Sequence, residues 1–408
     1  MKKIILLAVP VILSLSLFAQ QVAEESMVIN IEVPVRVFQG NEFVDSLTIK
    51  DFEVLEDGVP QTLEAVYLVN KRSIERSEEK RRFAPDTERN FYLFFEISEY
   101  TAKLGAAVEY FVQNVLFPGD VLTIVTPVKS YRMRSSALEH KTRSEIVEQL
   151  KGILRKDTLI GSSEYRNTID ELSSLSRSMA VAMNPDDVET QQKVSLEGSQ
   201  TIGRTLAEQL MIYYDLLSRL ETLRQVDEKL LLDFSDYLQD ETGQKYVFLF
   251  YQREYIPQIE PRILAQYIDL FQDQPNVQHT VASLFDFYRR DVSFNVDKVK
   301  RAYADASIAI HFLFLTEPLA PVIGVRFVES SDDIFSAFEQ MASATGGFID
   351  SSANPARAFQ DALAAAENYY LIYYSPKNRS LDGEFRNIAV RIKTGSFRVI
   401  HRVGYFAD

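Results

Sequence analysis

No cysteine occurs among the 408 residues, which excludes disulfides, zinc–thiolate sites, iron–sulfur clusters and thiol catalysis. Histidine is confined to His140, His279, His311 and His401, too far apart in sequence to suggest a metal site. There is no His-Glu-x-x-His pair, no Gly-x-Gly-x-x-Gly fingerprint, no phosphate loop and no Gly-x-Ser-x-Gly elbow. His311 lies in the apolar run Ile310-His311-Phe312 and reads as a hydrogen-bonded core residue rather than a catalytic base. Adjacent acids occur at Asp186-Asp187 and Asp332-Asp333, the latter just before a helical pattern where capping is the ordinary role. Glycoside hydrolysis needs two opposed acids, which adjacent pairs do not supply. The chain reads as non-enzymatic, with no cofactor.

Positive charge is also in short supply. Lys and Arg number 44 against 58 Asp and Glu, a net −14 that argues against broad affinity for nucleic acid or anionic membrane. With 46% hydrophobic and 25% charged residues, there is enough apolar surface to offset the entropy of ordering, and the length suits two domains.

Long hydrophobic runs are absent beyond the N-terminus. Lys2 and Lys3 precede an apolar-rich stretch from Ile4 to Phe18, with a small residue at Ala19. The stretch is shorter than the roughly 20 residues of a membrane-spanning helix and matches a secretory signal peptide over 1–19. The expectation is a secreted or periplasmic protein whose mature form begins near Gln20. An uncleaved anchor is the alternative. No later segment reaches spanning length, so no integral membrane segment is expected after cleavage, and the lack of cysteine excludes a bacterial lipoprotein.

Periodicity divides the remainder. Residues 26–70 read as an N-terminal β segment: Ile29, Ile31, Val33, Val35 and Val37 alternate with Asn30, Glu32 and Arg36, and Asp57-Gly58 suits a hairpin turn. Residues 71–90 read as a charged linker. From 91 to 366, apolar strands at Phe91–Ile97, Val121–Val125, Tyr246–Tyr251 and Ile308–Leu315 alternate with helical patterns, predicting a parallel sheet covered on both faces. This α/β stretch carries a loop and helical insertion at about 172–215. Within it, 172–200 is polar and reads as a loop, and a long amphipathic helix is predicted over 202–239, packed on the sheet or projecting toward a partner. Residues 367–408 return to period two and are expected to pair with 26–70.

Several segments resemble a known family. Val33-Pro34-Val35-Arg36-Val37 with Asp51-Phe52-Glu53-Val54-Leu55-Glu56-Asp57-Gly58-Val59-Pro60-Gln61 resembles the opening of the bacterial VWFA-related family first recognised in Acidobacteria. Ala342-Ser343-Ala344-Thr345-Gly346-Gly347 resembles its segment entering a late strand. Tyr369–Tyr374, Leu381-Asp382-Gly383-Glu384-Phe385-Arg386 and Gly404-Tyr405 resemble its ending. The resemblance spans about 28–70 and most of 90–406. It implies an α/β fold: a Rossmann-like von Willebrand factor A-type domain with a central, mostly parallel sheet, plus a small β-sandwich formed by the N- and C-terminal segments.

In that family's parent fold, an Asp-x-Ser-x-Ser motif, a later Thr and a later Asp form a metal-ion-dependent adhesion site. Here the motif positions hold Glu96, Ser98 and Tyr100, Gly161-Ser162-Ser163-Glu164-Tyr165 resembles the threonine loop, and Gln252-Arg253-Glu254 stands where the Asp is expected. Glu96 is one methylene too long for magnesium's strict octahedron, and Arg253 adds positive charge, so the site reads as degenerate and holding no metal. Ligands of open α/β sheets sit at the carboxyl ends of the strands. The expected binding crevice is therefore Ser98, Tyr100, Ser162, Gln252 and Arg253, facing an unidentified protein partner. The function expected is an exported, metal-independent protein-interaction or adhesion module. The alternatives are a divalent-cation-dependent binder using Glu96 and Ser98, or a structural component of a cell-envelope assembly docking through the 202–239 helix.

Overall fold

The computed structural model describes residues 29–133, 137–183, 205–287, 291–316, 325–351 and 354–408. The expected signal peptide lies outside the described residues.

The described residues begin with six strands: β1 (Ile31–Gln39), β2 (Glu42–Phe43), β3 (Phe52–Glu56), β4 (Val59–Pro60), β5 (Leu63–Asn70) and β6 (Ser73–Glu79). Alternation of β-branched residues makes β1, and Val33, Val35 and Val37 are fully buried. Pro34 is tolerated because β17, the neighbour on one side, pairs only with Val35–Phe38. Asp57 (φ 48°) and Gly58 (φ 80°) form the left-handed turn that joins β3 to β4. The linker expected over 71–90 is instead partly a strand, since β6 pairs antiparallel with β5 after a reversal at Lys71. Its charges are those of an exposed edge strand, where they discourage edge-to-edge association.

Next come β7 (Arg89–Glu96), α1 (Ala102–Tyr110), which continues into a π-turn at Phe111–Val115, β8 (Val121–Val125), β9 (Ser130–Met133) and the short α2 (Ala137–His140). Among the described residues four helices follow: α3 (Arg143–Gly161), α4 (Ser163–Met183), α5 (Leu206–Arg224) and α6 (Glu228–Gln239). Two expectations are corrected here. The predicted loop over 172–200 is helical as far as Met183, with Leu172, Leu175 and Met179 buried at helical spacing; its remainder lies outside the described residues. The single helix expected over 202–239 is two, because the Asp227 side chain accepts from Lys229 N and Leu230 N and starts a new helix.

The chain then runs through β10 (Gln244–Gln252), β11 (Tyr255–Gln258), α7 (Pro261–Leu270), α8 (Pro275–Phe287), α9 (Val296–Asp305), β12 (Ile308–Leu315) and β13 (Arg326–Glu329). It ends with α10 (Asp332–Thr345), β14 (Ile349–Asp350), α11 (Pro355–Glu367), β15 (Asn368–Tyr374), β16 (Phe385–Ile392), β17 (Arg398–His401) and β18 (Gly404–Phe406).

The expected fold class is overturned by how these strands pair. The protein has mixed α and β content, but most ladders among the described residues are antiparallel, so a Rossmann-like von Willebrand factor A-type domain with an appended sandwich does not describe it. The sheet β17-β1-β15-β5-β6, with β2 beside β1, is antiparallel throughout. So are β18-β16-β3-β4 and the pair β11-β13. The sheet β14-β12-β10-β7-β8-β9 is mixed: its first four ladders are parallel, and β9 turns back against β8. The physical reason is that hairpins and long-range returns from both chain ends supply most strands, and these run antiparallel without crossover helices.

Four cores matter for placing a site. One face of the mixed sheet packs on α1, α3 and α11, the other on α6, α9 and α10. A separate core joins α4, α5, α7 and α8 to Ile256 and Ile259, at and just beyond β11. A fourth lies between the two larger antiparallel sheets, where Val33, Val35, Tyr370 and Ile372 meet Phe52, Val54, Ile388 and Val390. Among the described residues, no helix is long and apolar enough to cross a membrane.

Candidate functional site

The carboxyl ends of β7 and β10 bring part of the expected crevice together. The Gln252 side-chain oxygen accepts from Ser98 N at 3.0 Å and Glu99 N at 3.2 Å, so the two turn amides are held by an amide oxygen. The Ser162 hydroxyl lies 2.7 Å from Ser98 O and 2.5 Å from Thr158 O, and its single proton serves one carbonyl at a time. Ser162 is not in a loop resembling a threonine loop; it is the junction between α3 and α4. The cap of α1 is Thr101, whose side chain accepts from Leu104 N.

Arg253 follows β10 directly. Its N–H donates to Leu315 O at 2.8 Å, its guanidinium sits 4.4 Å from the Phe314 ring centre, and it donates to Ser351 Oγ. Nε has no hydrogen-bond partner among the described residues. Tyr100 leaves the crevice: its ring lies 5.0 Å from the Arg155 guanidinium, and a Cβ added at Gly105 would overlap its hydroxyl. That places it between α1 and α3, away from the strand ends.

Glu96 ends β7, and its carboxylate forms no hydrogen bond or ion pair among the described residues. The side chain reaches solvent, yet surrounding protein pushes its carboxyl pKa up by desolvation. Its neighbour Tyr251 is likewise shifted upward, chiefly by burial.

The helices of the third core are fastened over these strand ends. Tyr213 donates to Pro257 O at 2.9 Å. Arg224, at the end of α5, pairs with Glu254 and lies 3.4 Å from Asp333, while donating to Ser330 O at 2.9 Å. Tyr251 donates to Glu254 at 2.9 Å. Asp332 and Asp333 occupy the first turn of α10 rather than its cap, which is Ser331. Sequence reasoning missed Arg224, Tyr251 and Ser351, because they come from separate elements and carry no shared motif.

The crevice therefore offers an open carboxylate, a guanidinium stacked on an aromatic ring, and serine hydroxyls. It does not offer a nest of acids: among the described residues, no group of three or more His, Cys, Asp or Glu could hold a metal ion. His311 is remote from this chemistry in character. It accepts from Phe348 N at 3.2 Å and stacks on Phe248 at 4.5 Å, and burial holds its pKa well below the usual value, so the ring is neutral.

The raised pKa of Glu96 has a measurable consequence. Unfolded, the carboxyl titrates near its ordinary 4.5; folded, it keeps its proton to higher pH. The stability this gives is complete below the unfolded value and is lost as pH rises through the folded one. Glu96→Gln is thus expected to melt above the parent at neutral pH, with the gap closing as pH falls below about 4.5. A gap of constant size across that range, or one of opposite sign, would refute the crevice environment.

No family model, no curated protein and no solved structure matches this chain.

Proposed function

We propose that this is an exported, non-enzymatic protein-interaction module that recognises its partner without a metal ion, through the crevice at the ends of β7 and β10. The observation that carries this reading is an exposed Glu96 carboxylate, unpaired among the described residues, at the end of β7 together with Arg253, just after β10, which has a free Nε and is stacked on Phe314. Opposite charges beside aromatic surface suit a polar protein epitope, and arginine is among the residues that dominate such contacts. Metal independence is supported by the Gln252 side-chain oxygen being engaged by the two turn amides, Ser98 N and Glu99 N.

Two measurements test this. Thermal unfolding in EDTA and in millimolar magnesium, manganese or calcium is expected to give the same Tm. A ligand at about 100 times its Kd would stabilise by about 2.7 kcal/mol, so a shift abolished by Glu96→Ala would establish the cation-dependent alternative. For the partner, the purified chain is immobilised in EDTA against a cell-envelope extract. A protein retained by the parent and lost with both Glu96→Gln and Arg253→Ala, at preserved folding, supports the crevice. Retention indifferent to both substitutions, or robust turnover in a broad substrate screen, overturns it.

A further inference from the structure

A second site lies at the opposite, amino end of the mixed sheet, where it meets the antiparallel sheet of the chain ends. There a cavity of about 20 Å³ is lined by Arg36 of β1, Gln244 and Lys245 of β10, Ser307, Thr345 and Arg402. That volume exceeds the 10–15 Å³ or so that one water-sized occupant requires, and it is too small for sulfate or phosphate. All three cationic residues are more than nine-tenths buried.

Their hydrogen bonds solvate these charges without neutralising them. Arg36 Nη1 donates to Gly346 O at 2.8 Å, and Lys245 Nζ donates to Ala306 O at 2.9 Å. Arg402 donates to Ala304 O at 3.1 Å, Asp305 O at 3.0 Å and Glu32 O at 2.7 Å. The Nε atoms of Arg36 and Arg402 have no partner among the described residues, and none of the three cations forms an ion pair there. Two carboxylates lie near without contacting the cations: Glu32 accepts from Tyr373 and from Gln244 at 3.2 Å, Asp305 from Phe406 N at 2.8 Å and Gln239 at 3.0 Å, and both attract Arg402 and Lys245 only from a distance. Buried charges in folded proteins are ordinarily paired, because carbonyl dipoles alone leave most of the desolvation cost standing. Burial, with Arg402 second, pushes the Lys245 pKa down, and burial pushes the Glu32 and Asp305 carboxyls up.

We propose that this cavity binds one small monovalent anion of halide size, held by Arg36, Lys245 and Arg402. A water molecule would fill the space but bring no compensating charge. Because Arg36 and Arg402 belong to the antiparallel sheet and its flank while Lys245 belongs to the mixed sheet, the ion ties the two together. The site is independent of the crevice at the other end of the strands.

The test is thermal unfolding at fixed ionic strength in sodium chloride or bromide against sodium gluconate, whose anion is too large for the cavity. The expected result is a saturable rise of several degrees with the halides, absent in Lys245→Met and in Arg36→Gln whatever their baseline Tm. Equal melting in gluconate and halide, or an unchanged halide response in a folded variant, overturns the proposal. Crystals of the parent soaked in bromide supply a readout that needs no variant. An anomalous peak between Arg36 and Lys245 is expected, and bromide found only on the outer surface refutes the site.

Discussion

Arg89→Ala is expected to destabilise the protein by about 3 kcal/mol, the low end of the cost of breaking a buried ion pair, because Arg72 still faces Asp120 at 3.9 Å. Arg89 begins β7, and its side chain is 3% exposed against 0% for Asp120. The guanidinium donates to both carboxylate oxygens, at 2.5 and 3.2 Å, and to Val115 O at 2.9 Å. Asp120 also accepts from Phe117 N at 2.8 Å, so the pair fixes the turn between the π-turn and β8. Phe91 and Phe117 cover the guanidinium at 5.0 and 5.3 Å, which keeps water from replacing the lost partner. Urea unfolding read by circular dichroism measures the effect. The double variant Arg89→Met with Asp120→Leu is expected to recover much of it, since a packed apolar pair carries no desolvation cost. A single-variant loss below about 1 kcal/mol, the value of an exposed pair, would refute the burial described.

Gly347→Ala is expected to cost about 3 kcal/mol or more, at the top of the range for overpacked interiors. A Cβ there would overlap the carbonyl oxygen of Ile310 on β12, and the obstacle is backbone that cannot rotate aside. Gly346, one residue earlier, is constrained differently. It ends α10 in the left-handed conformation at φ 72°, so Gly346→Ala is expected to lose about 1–2 kcal/mol through backbone strain, with some crowding from His401. The comparison separates space from conformation. Equal losses at the two positions would show that the close approach of Gly347 to β12 is not real.

The candidate site was only partly legible from residue order. Ser98 and Gln252 meet because β7 and β10 are neighbours in register, with Tyr251 opposite Glu96, and Ser162 reaches Ser98 across the start of α4. Their positions were reached by resemblance and not by any local pattern. Tyr100 was grouped with them by the same resemblance, but its ring packs over Gly105, between two helices. The Arg224–Glu254 pair and the cluster of Arg36, Lys245 and Arg402 had no sequence signal at all. Their members are separated by tens to hundreds of residues, and each taken singly is an ordinary surface-type charge.

Local periodicity by itself determined where the chain is extended and where it is helical over much of its length. Alternation made β1, unbroken apolar runs made β7, β10 and β12, and helical spacing made α3, α9, α10 and α11. It succeeded there because each residue's burial repeats within a few positions, so the signal is contained in the segment. It misread β6, whose charges belong to an edge strand, and α4, whose polar face hid a buried stripe that includes Leu172, Leu175 and Met179. Only the tertiary structure decided which strands pair and in which direction. It also decided that four helices close over one end of the mixed sheet, and that three cations face one another at the other. Pairing direction and side-chain convergence are set by contacts between distant segments, and a chain's local pattern records that a face is buried without recording what buries it.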